Sequence, residues 1–205
     1  LGSGAGGGLR SGVKTGHVPW KHQDNRDGAI ATVLCGWPNR GVALGGGRVY
    51  VGQLDGRLVA LDQKSGEPVW TIQAERWQNG YTITAAPLYY NGMVIVGFSG
   101  GENGTRGRVQ AYAAQSGNLI WTFYTVPAPG AFGHHHWPPD TQAWPHGGAD
   151  VGPTPAAAPG AFAGAGPRGA GLGQSCRRGG RSGDRVARLR TQRGDGLRHL
   201  GVLPH

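Results

Sequence analysis

The chain has 205 residues, enough for one domain or two, with 41 glycines, 14 prolines and a formal net charge of +9. No apolar run approaches the ~18 residues that a membrane-crossing helix requires, no charged-then-apolar leader opens the chain, and the two cysteines, Cys35 and Cys176, are too far apart and too unlike in surroundings to define a disulfide framework. The charge does not describe a nucleic-acid-binding body: from Val151 to His205 nine arginines face only Asp184 and Asp195, whereas the preceding 150 residues are close to balanced.

Residues 1–12 show no side-chain pattern and read as an irregular segment. VKTGHVPW, from Val13 to Trp20, is the end of a repeat unit that is complete further on. The best copy, RVYVGQLDGRLVALDQKSGEPVW from Arg48 to Trp70, alternates Val49 and Val51 with Tyr50, turns at Asp55-Gly56, alternates Leu58 and Ala60 with Val59, and reverses at Ser65-Gly66. GGGRVYVG at Gly45 is a hairpin turn and not a phosphate loop, because no helix follows it. A second copy runs MVIVGFSGGENGTRGRVQAYAAQSGNLIW from Met93 to Trp121. His134, His135 and His136 with Asp140 suggest a metal cluster, but three consecutive imidazoles cannot all turn to one ion on an extended loop beside Pro138-Pro139, and a solvated loop is expected.

From residue 156 to 205 the text is rich in Gly, Ala, Arg and Pro, without a sustained period, and is expected to be disordered because it cannot bury enough apolar area to offset chain entropy. The same four residues are those encoded by G/C-only triplets, so a coding sequence read out of frame accounts for the mixture. A flexible tail and an Arg/Gly-rich RNA-binding segment are the alternatives; the latter lacks interleaved aromatics for base stacking.

Trp20, Trp70 and Trp121 close the three copies of the Lys/Gln-Ser/Thr-Gly-x-x-x-Trp phrase at spacings of 50 and 51 residues. Repeats of this length, built from several short strands, are propeller blades, since one small twisted sheet must stack on its neighbours to bury both faces. The repeated Trp is expected to fill the wedge between blades with its indole N–H on a backbone carbonyl. The fold expected is therefore all-β: a partial β-propeller over residues 13–155, about two full blades plus part of a third. Closed propellers need roughly four to eight, so the chain reads as a fragment.

Four phrases carry a family resemblance: the Trp-closing motif, CGWPNRGVALGGGRVYVGQLDGRLVALD from Cys35, GYTITAAP from Gly80, and GFSGGENGTRGRVQAY from Gly97, followed by WTFYTVPAPG. Over about Val13 to Pro155 the chain resembles the quinoprotein alcohol dehydrogenases, eight-bladed propellers that use pyrroloquinoline quinone (PQQ). The resemblance implies that Cys35, Arg40, Thr84, Ser99, Gly100, Gly101 and Glu102 contact the cofactor and that Glu102 is a ligand of Ca²⁺ or, in some members, a lanthanide. That set suits a flat tricarboxylate. Arg40 offers a fork of donors, Thr84 and Ser99 offer hydroxyls, and the glycines let backbone N–H groups approach.

Departures accompany the match. Where the family has two adjacent cysteines this chain has Leu34-Cys35, Gly152 stands where a Trp forms one wall of the quinone pocket, and the blade-turn Asp is kept as Asp62 but replaced by Gly12 and Ala113. The family's Asn metal ligand and catalytic Asp belong to later blades, so no catalytic residue is assigned. The resemblance implies a periplasmic enzyme that oxidises alcohols and passes electrons to a cytochrome c or quinone acceptor, with no nucleic-acid partner and no transmembrane segment. The chain itself is expected to be inactive. The alternative is a non-catalytic propeller, an interaction scaffold resembling the outer-membrane assembly lipoprotein.

Overall fold

The structure is a computed structural model that describes residues 2–4, 7–10, 18–23, 29–30, 38–138, 141–158, 161–164, 188–191 and 200–202. Two four-stranded antiparallel meanders hold its centre. The first is β4 (Ala43–Gly45), β5 (Arg48–Gly52), β6 (Arg57–Asp62) and β7 (Pro68–Gln73); the second is β8 (Leu88–Tyr90), β9 (Met93–Gly97), β10 (Arg108–Ala113) and β11 (Leu119–Tyr124). These are the two full blades that the repeat predicts. Both open with a two-residue hairpin whose central residues have positive φ, Gly46-Gly47 (57° and 75°) and Asn91-Gly92 (48° and 74°). That turn matches the right-handed twist of the strands it joins and favours Asn and Gly. Each blade also carries a register shift at the same place, between Ala60 and Leu61 and between Ala111 and Tyr112.

Alternation along the central strands sends side chains to two different neighbours. In the first blade Val49, Val51, Val59 and Leu61 form one apolar cluster with Trp20. On the other face Tyr50, Leu58 and Ala60 pack with Val94, Val96, Phe98 and Tyr112 of the second blade. Both faces are covered, which is why Val49, Tyr50 and Val51 are all nearly inaccessible. In the second blade Ile95, Val109 and Ala111 turn away from this shared core and pack with Trp121, Phe123 and Val151.

The tryptophan hinge is realised twice with one geometry. Trp20 donates its indole N–H to the Gln63 carbonyl at 3.2 Å, and Trp70 donates to the Ala114 carbonyl at 3.0 Å. The acceptors are 51 residues apart, like the repeat. Each ring lies over the turn glycine of the following blade: a Cβ on Gly66 would come 2.5 Å from Trp20 Cδ2, and one on Gly117 would come 3.1 Å from Trp70 Cε3. The Gly of the phrase is thus the seat for the preceding Trp.

The Asp of the blade turn has the role its loss suggested. Asp62 Oδ1 accepts the N–H groups of Lys64 and Ser65 at 2.8 Å, and these bonds, Ser65 first, hold its carboxyl below the usual carboxylate range. Ala113 keeps the backbone turn, Gly117 N–H to Ala113 O at 2.8 Å, without any such side-chain support. Ala113→Asp is expected to raise Tm by about 2–5 °C, measured by thermal unfolding, because two turn N–H groups gain an acceptor.

Two segments differ from the sequence expectation. The first 12 residues are not wholly irregular: β1 (Gly2–Gly4) and β2 (Gly7–Arg10) pair antiparallel with β3 (Trp20–Gln23), so Trp20 sits in a three-stranded sheet. A ladder is made of backbone groups, so glycine-rich strands need no side-chain alternation and leave none to read. In the tail, β12 (Pro155–Ala158), β13 (Ala161–Gly164), β14 (Arg188–Thr191) and β15 (Leu200–Val202) form a further antiparallel sheet, with β12 against β8 and β9. Its first strand begins four residues after Val151, which the second blade already holds. The other residues expected to be disordered between 159 and 205 lie outside the described residues.

Candidate functional site

Arg40 precedes β4, Thr84 precedes β8, and Ser99 follows β9, so the antiparallel order brings all three to one end of the blades. A bridge between Thr82 and Ser99 locks the last two loops together. Asn39 shapes the first: its amide donates to Gly52 O at 3.2 Å and its oxygen accepts Gly41 N–H at 2.9 Å, while Arg40 N–H bonds to Thr84 O at 3.0 Å. With its backbone fixed, the exposed Arg40 side chain donates through Nη1 to Thr84 Oγ1 at 2.7 Å, and Thr84 Oγ1 lies 2.6 Å from Ser99 Oγ. Both hydroxyls are buried. One guanidinium and two hydroxyls therefore form a continuous polar file.

Gly100, Gly101 and Glu102 form the next turn. Gly100 has φ 132°, a Cβ there would collide with the Gly80 carbonyl, and Asn103 Nδ2 donates to the same carbonyl at 3.2 Å. Glycine is required at this position by both backbone angle and space. Glu102 is exposed in the short 3-10 turn Gly101–Asn103.

A residue that the sequence does not single out completes the site. The carboxylate of Asp150 lies over Gly101, where an added Cβ would stand 2.8 Å from Asp150 Oδ1, and faces the backbone N–H groups of Gly100 and Gly101. Burial first, and then the Glu102 charge, push the Asp150 carboxyl above its ordinary range against the pull of those N–H groups. Its segment is pinned from several sides. Val151 N–H bonds to Phe98 O at 2.9 Å, Gly148 N–H to Thr105 O at 3.0 Å, and Thr125 Oγ1 to Ala149 O at 2.6 Å. Arg106 lies over the rings of Tyr124 (3.8 Å) and Trp144 (4.8 Å), tying the same insert to β11. Asp150 stands two residues before Gly152, where the family pattern departs, and that neighbourhood is the signal by which it could have been found.

Gly152 lies at the same mouth. Arg40 Nη1 reaches its carbonyl at 3.4 Å, and a Cβ on it would be 3.2 Å from Ser99 Oγ. The position expected for a wall of the pocket is thus in place but presents no ring. Cys35 lies outside the described residues. Of the histidines, His134 Nδ1 is engaged with Pro127 O at 3.0 Å, His135 and His136 are exposed, and Asp140 lies outside the described residues.

Stacked four-stranded blades, tryptophan-seated turns and a mouth of cation, hydroxyls and backbone donors define a β-propeller of the quinoprotein type. A family model described as outer membrane protein assembly factor BamB matches residues 9–144, and the chain belongs to this family, as a partial copy of its quinoprotein alcohol dehydrogenase members. It is 50% identical over 105 residues, 51% of its length, to the quinohemoprotein alcohol dehydrogenase ADH IIB of Pseudomonas putida, of which it covers 15%. Among solved structures it resembles a europium-containing methanol dehydrogenase with TM-score 0.67 and 29% identity, covering 73% of this chain and 30% of that one. BamB from Moraxella catarrhalis shares the fold, with TM-score 0.53 and 20% identity over 79% of this chain and 42% of that one. The chain therefore spans less than a third of the length of either dehydrogenase. Among the described residues no helix is long and apolar enough to cross a membrane.

Proposed function

We propose that the chain is the cofactor-gripping part of a PQQ-dependent alcohol dehydrogenase, and that Arg40, Thr84, Ser99, Gly100 and Gly101 hold a carboxylate-bearing edge of the quinone. The observation that carries this reading is the continuous Arg40–Thr84–Ser99 file, opening beside the Gly100–Gly101 turn over which a carboxylate, that of Asp150, already lies. The donor set accepts the chemistry PQQ presents. Arg40 can only donate, and each hydroxyl of the file can both donate and accept, so the file offers a ligand hydroxyl groups of either sense beside a fixed cation. Glu102, with Asp150 beside it, supplies carboxylate oxygens for a hard cation, Ca²⁺ or a lanthanide. When bound, PQQ supplies the hydride acceptor for alcohol oxidation. This chain's residues bind and orient it, and no residue here is assigned the removal of the alcohol proton. The periplasm and a cytochrome c or quinone electron acceptor complete the proposal by family.

The test is a titration of the chain with PQQ, with and without Ca²⁺, followed by tryptophan quenching. Saturable binding is expected, weakened about tenfold or more by Arg40→Ala through loss of a charge-assisted donor, with no dye reduction when an alcohol is added. The scaffold reading, supported by the name of the matching family model, requires instead no PQQ binding and no effect of Arg40→Ala.

A further inference from the structure

A second recess shares no lining residue with this mouth. It is a cleft of about 520 Å³ between the 3-10 turn Trp77–Asn79, with Arg76 in front of it, and a floor of Ile30, Asp55 and Gln73. That volume is in the range of small-molecule sites.

The turn is rigid: Asn79 N–H bonds to Arg76 O at 3.1 Å and Gly80 N–H to Trp77 O at 2.8 Å. Behind it, the Gly80 carbonyl is held by Asn103 Nδ2. The floor is equally fixed. Asp55 is paired with Arg57 Nε at 2.5 Å, and Gln73 Nε2 donates to Asp55 O at 2.8 Å and to Glu75 O at 2.5 Å, which leaves the Gln73 side-chain oxygen as an acceptor. In contrast, the side chains of Arg76, Trp77, Gln78 and Asn79 have no hydrogen-bond or ion-pair partner among the described residues. Four consecutive recognition-type side chains are thus presented unpaired on a fixed backbone.

We infer that this cleft binds a hexuronate, a pyranose ring bearing a carboxylate. The half-buried Trp77 indole offers an apolar face for the axial C–H side of the ring. Gln78 and Asn79 each offer a donor and an acceptor, and Gln73 an acceptor, for hydroxyls that are themselves both. The charge of Asp55 is met by Arg57, so Arg76 leaves one cation in excess, which selects an anionic sugar over a neutral one. The inference does not depend on the quinone reading.

The experiment is saturation-transfer NMR and calorimetry on the full chain with D-glucuronate, D-glucose and acetate. Glucuronate is expected to bind saturably, glucose about tenfold more weakly, and acetate not at all. Trp77→Ala is expected to abolish the glucuronate signal, and Arg76→Gln, on an exposed side chain, to reduce glucuronate to the affinity of glucose. Absence of glucuronate binding, equal binding of acetate, or unchanged affinity in Arg76→Gln would overturn the assignment.

Discussion

Asp150→Ala is expected to tighten PQQ binding by about 10–100-fold in a metal-free titration, a gain of about 1.4–2.8 kcal/mol. Two physical effects act in the same direction. The Asp150 carboxylate lies over Gly101 in front of the Gly100 and Gly101 N–H groups, so an incoming carboxylate must displace it to reach them. It also brings a like charge, next to that of Glu102, against a ligand with three carboxylates, and like charges set close together in a binding site cost several kcal/mol when desolvated. Asp150→Asn separates the contributions. It removes the charge while keeping an oxygen over the turn, so a smaller gain than Ala is expected. Weaker binding in both variants would mean that Asp150 supports the loop and does not compete for it. A Ca²⁺ or lanthanide titration provides an opposite check, since loss of Asp150 removes an oxygen donor beside Glu102 and is expected to weaken the cation.

The blades are legible because their signal is carried by side chains at fixed spacing. Val49, Tyr50 and Val51 announce a strand with two working faces, and the Gly-x-x-x-Trp phrase announces the ring between blades; that Gly66 and Gly117 seat Trp20 and Trp70 is seen only in the structure. Strands β1 and β2 are not legible, because a ladder of glycines leaves no pattern in side-chain chemistry. The grouping of Arg40, Thr84, Ser99 and Gly100–Glu102 comes from the family resemblance, not from spacing, since they are scattered over more than 60 residues and only the antiparallel topology gathers them at one end. Asp150 is hidden for a related reason. It enters from an insert whose path depends on Arg106, Thr125 and Phe98, contacts that no local pattern encodes. The cleft at Arg76–Asn79 is likewise silent, being formed by a short turn without periodicity.

Trp70→Ala is expected to be the most damaging single change to the described structure, lowering unfolding free energy by about 3–5 kcal/mol in urea denaturation. Trp70 joins the two four-stranded blades: its ring lies 5.9 Å from that of Tyr50, packs on Gly117, and its N–H meets Ala114 O. Trp70→Phe tells which of these matters. Ala114 O also accepts Arg48 Nη1 at 2.6 Å and the Tyr50 hydroxyl at 3.3 Å, so removal of the indole N–H leaves no unsatisfied carbonyl, and a cost of only about 1 kcal/mol is expected. Equal damage from Phe and Ala would instead assign the hinge to the hydrogen bond. Trp121→Ala is the internal control. Its N–H has no hydrogen-bond partner among the described residues, and its ring, half-buried like that of Trp70, packs on the outer face of the second blade and not on the core shared by the two blades. It should therefore cost less than Trp70→Ala although the two residues occupy the same place in the repeat. The difference between them measures what a following blade adds to an indole that is already in position.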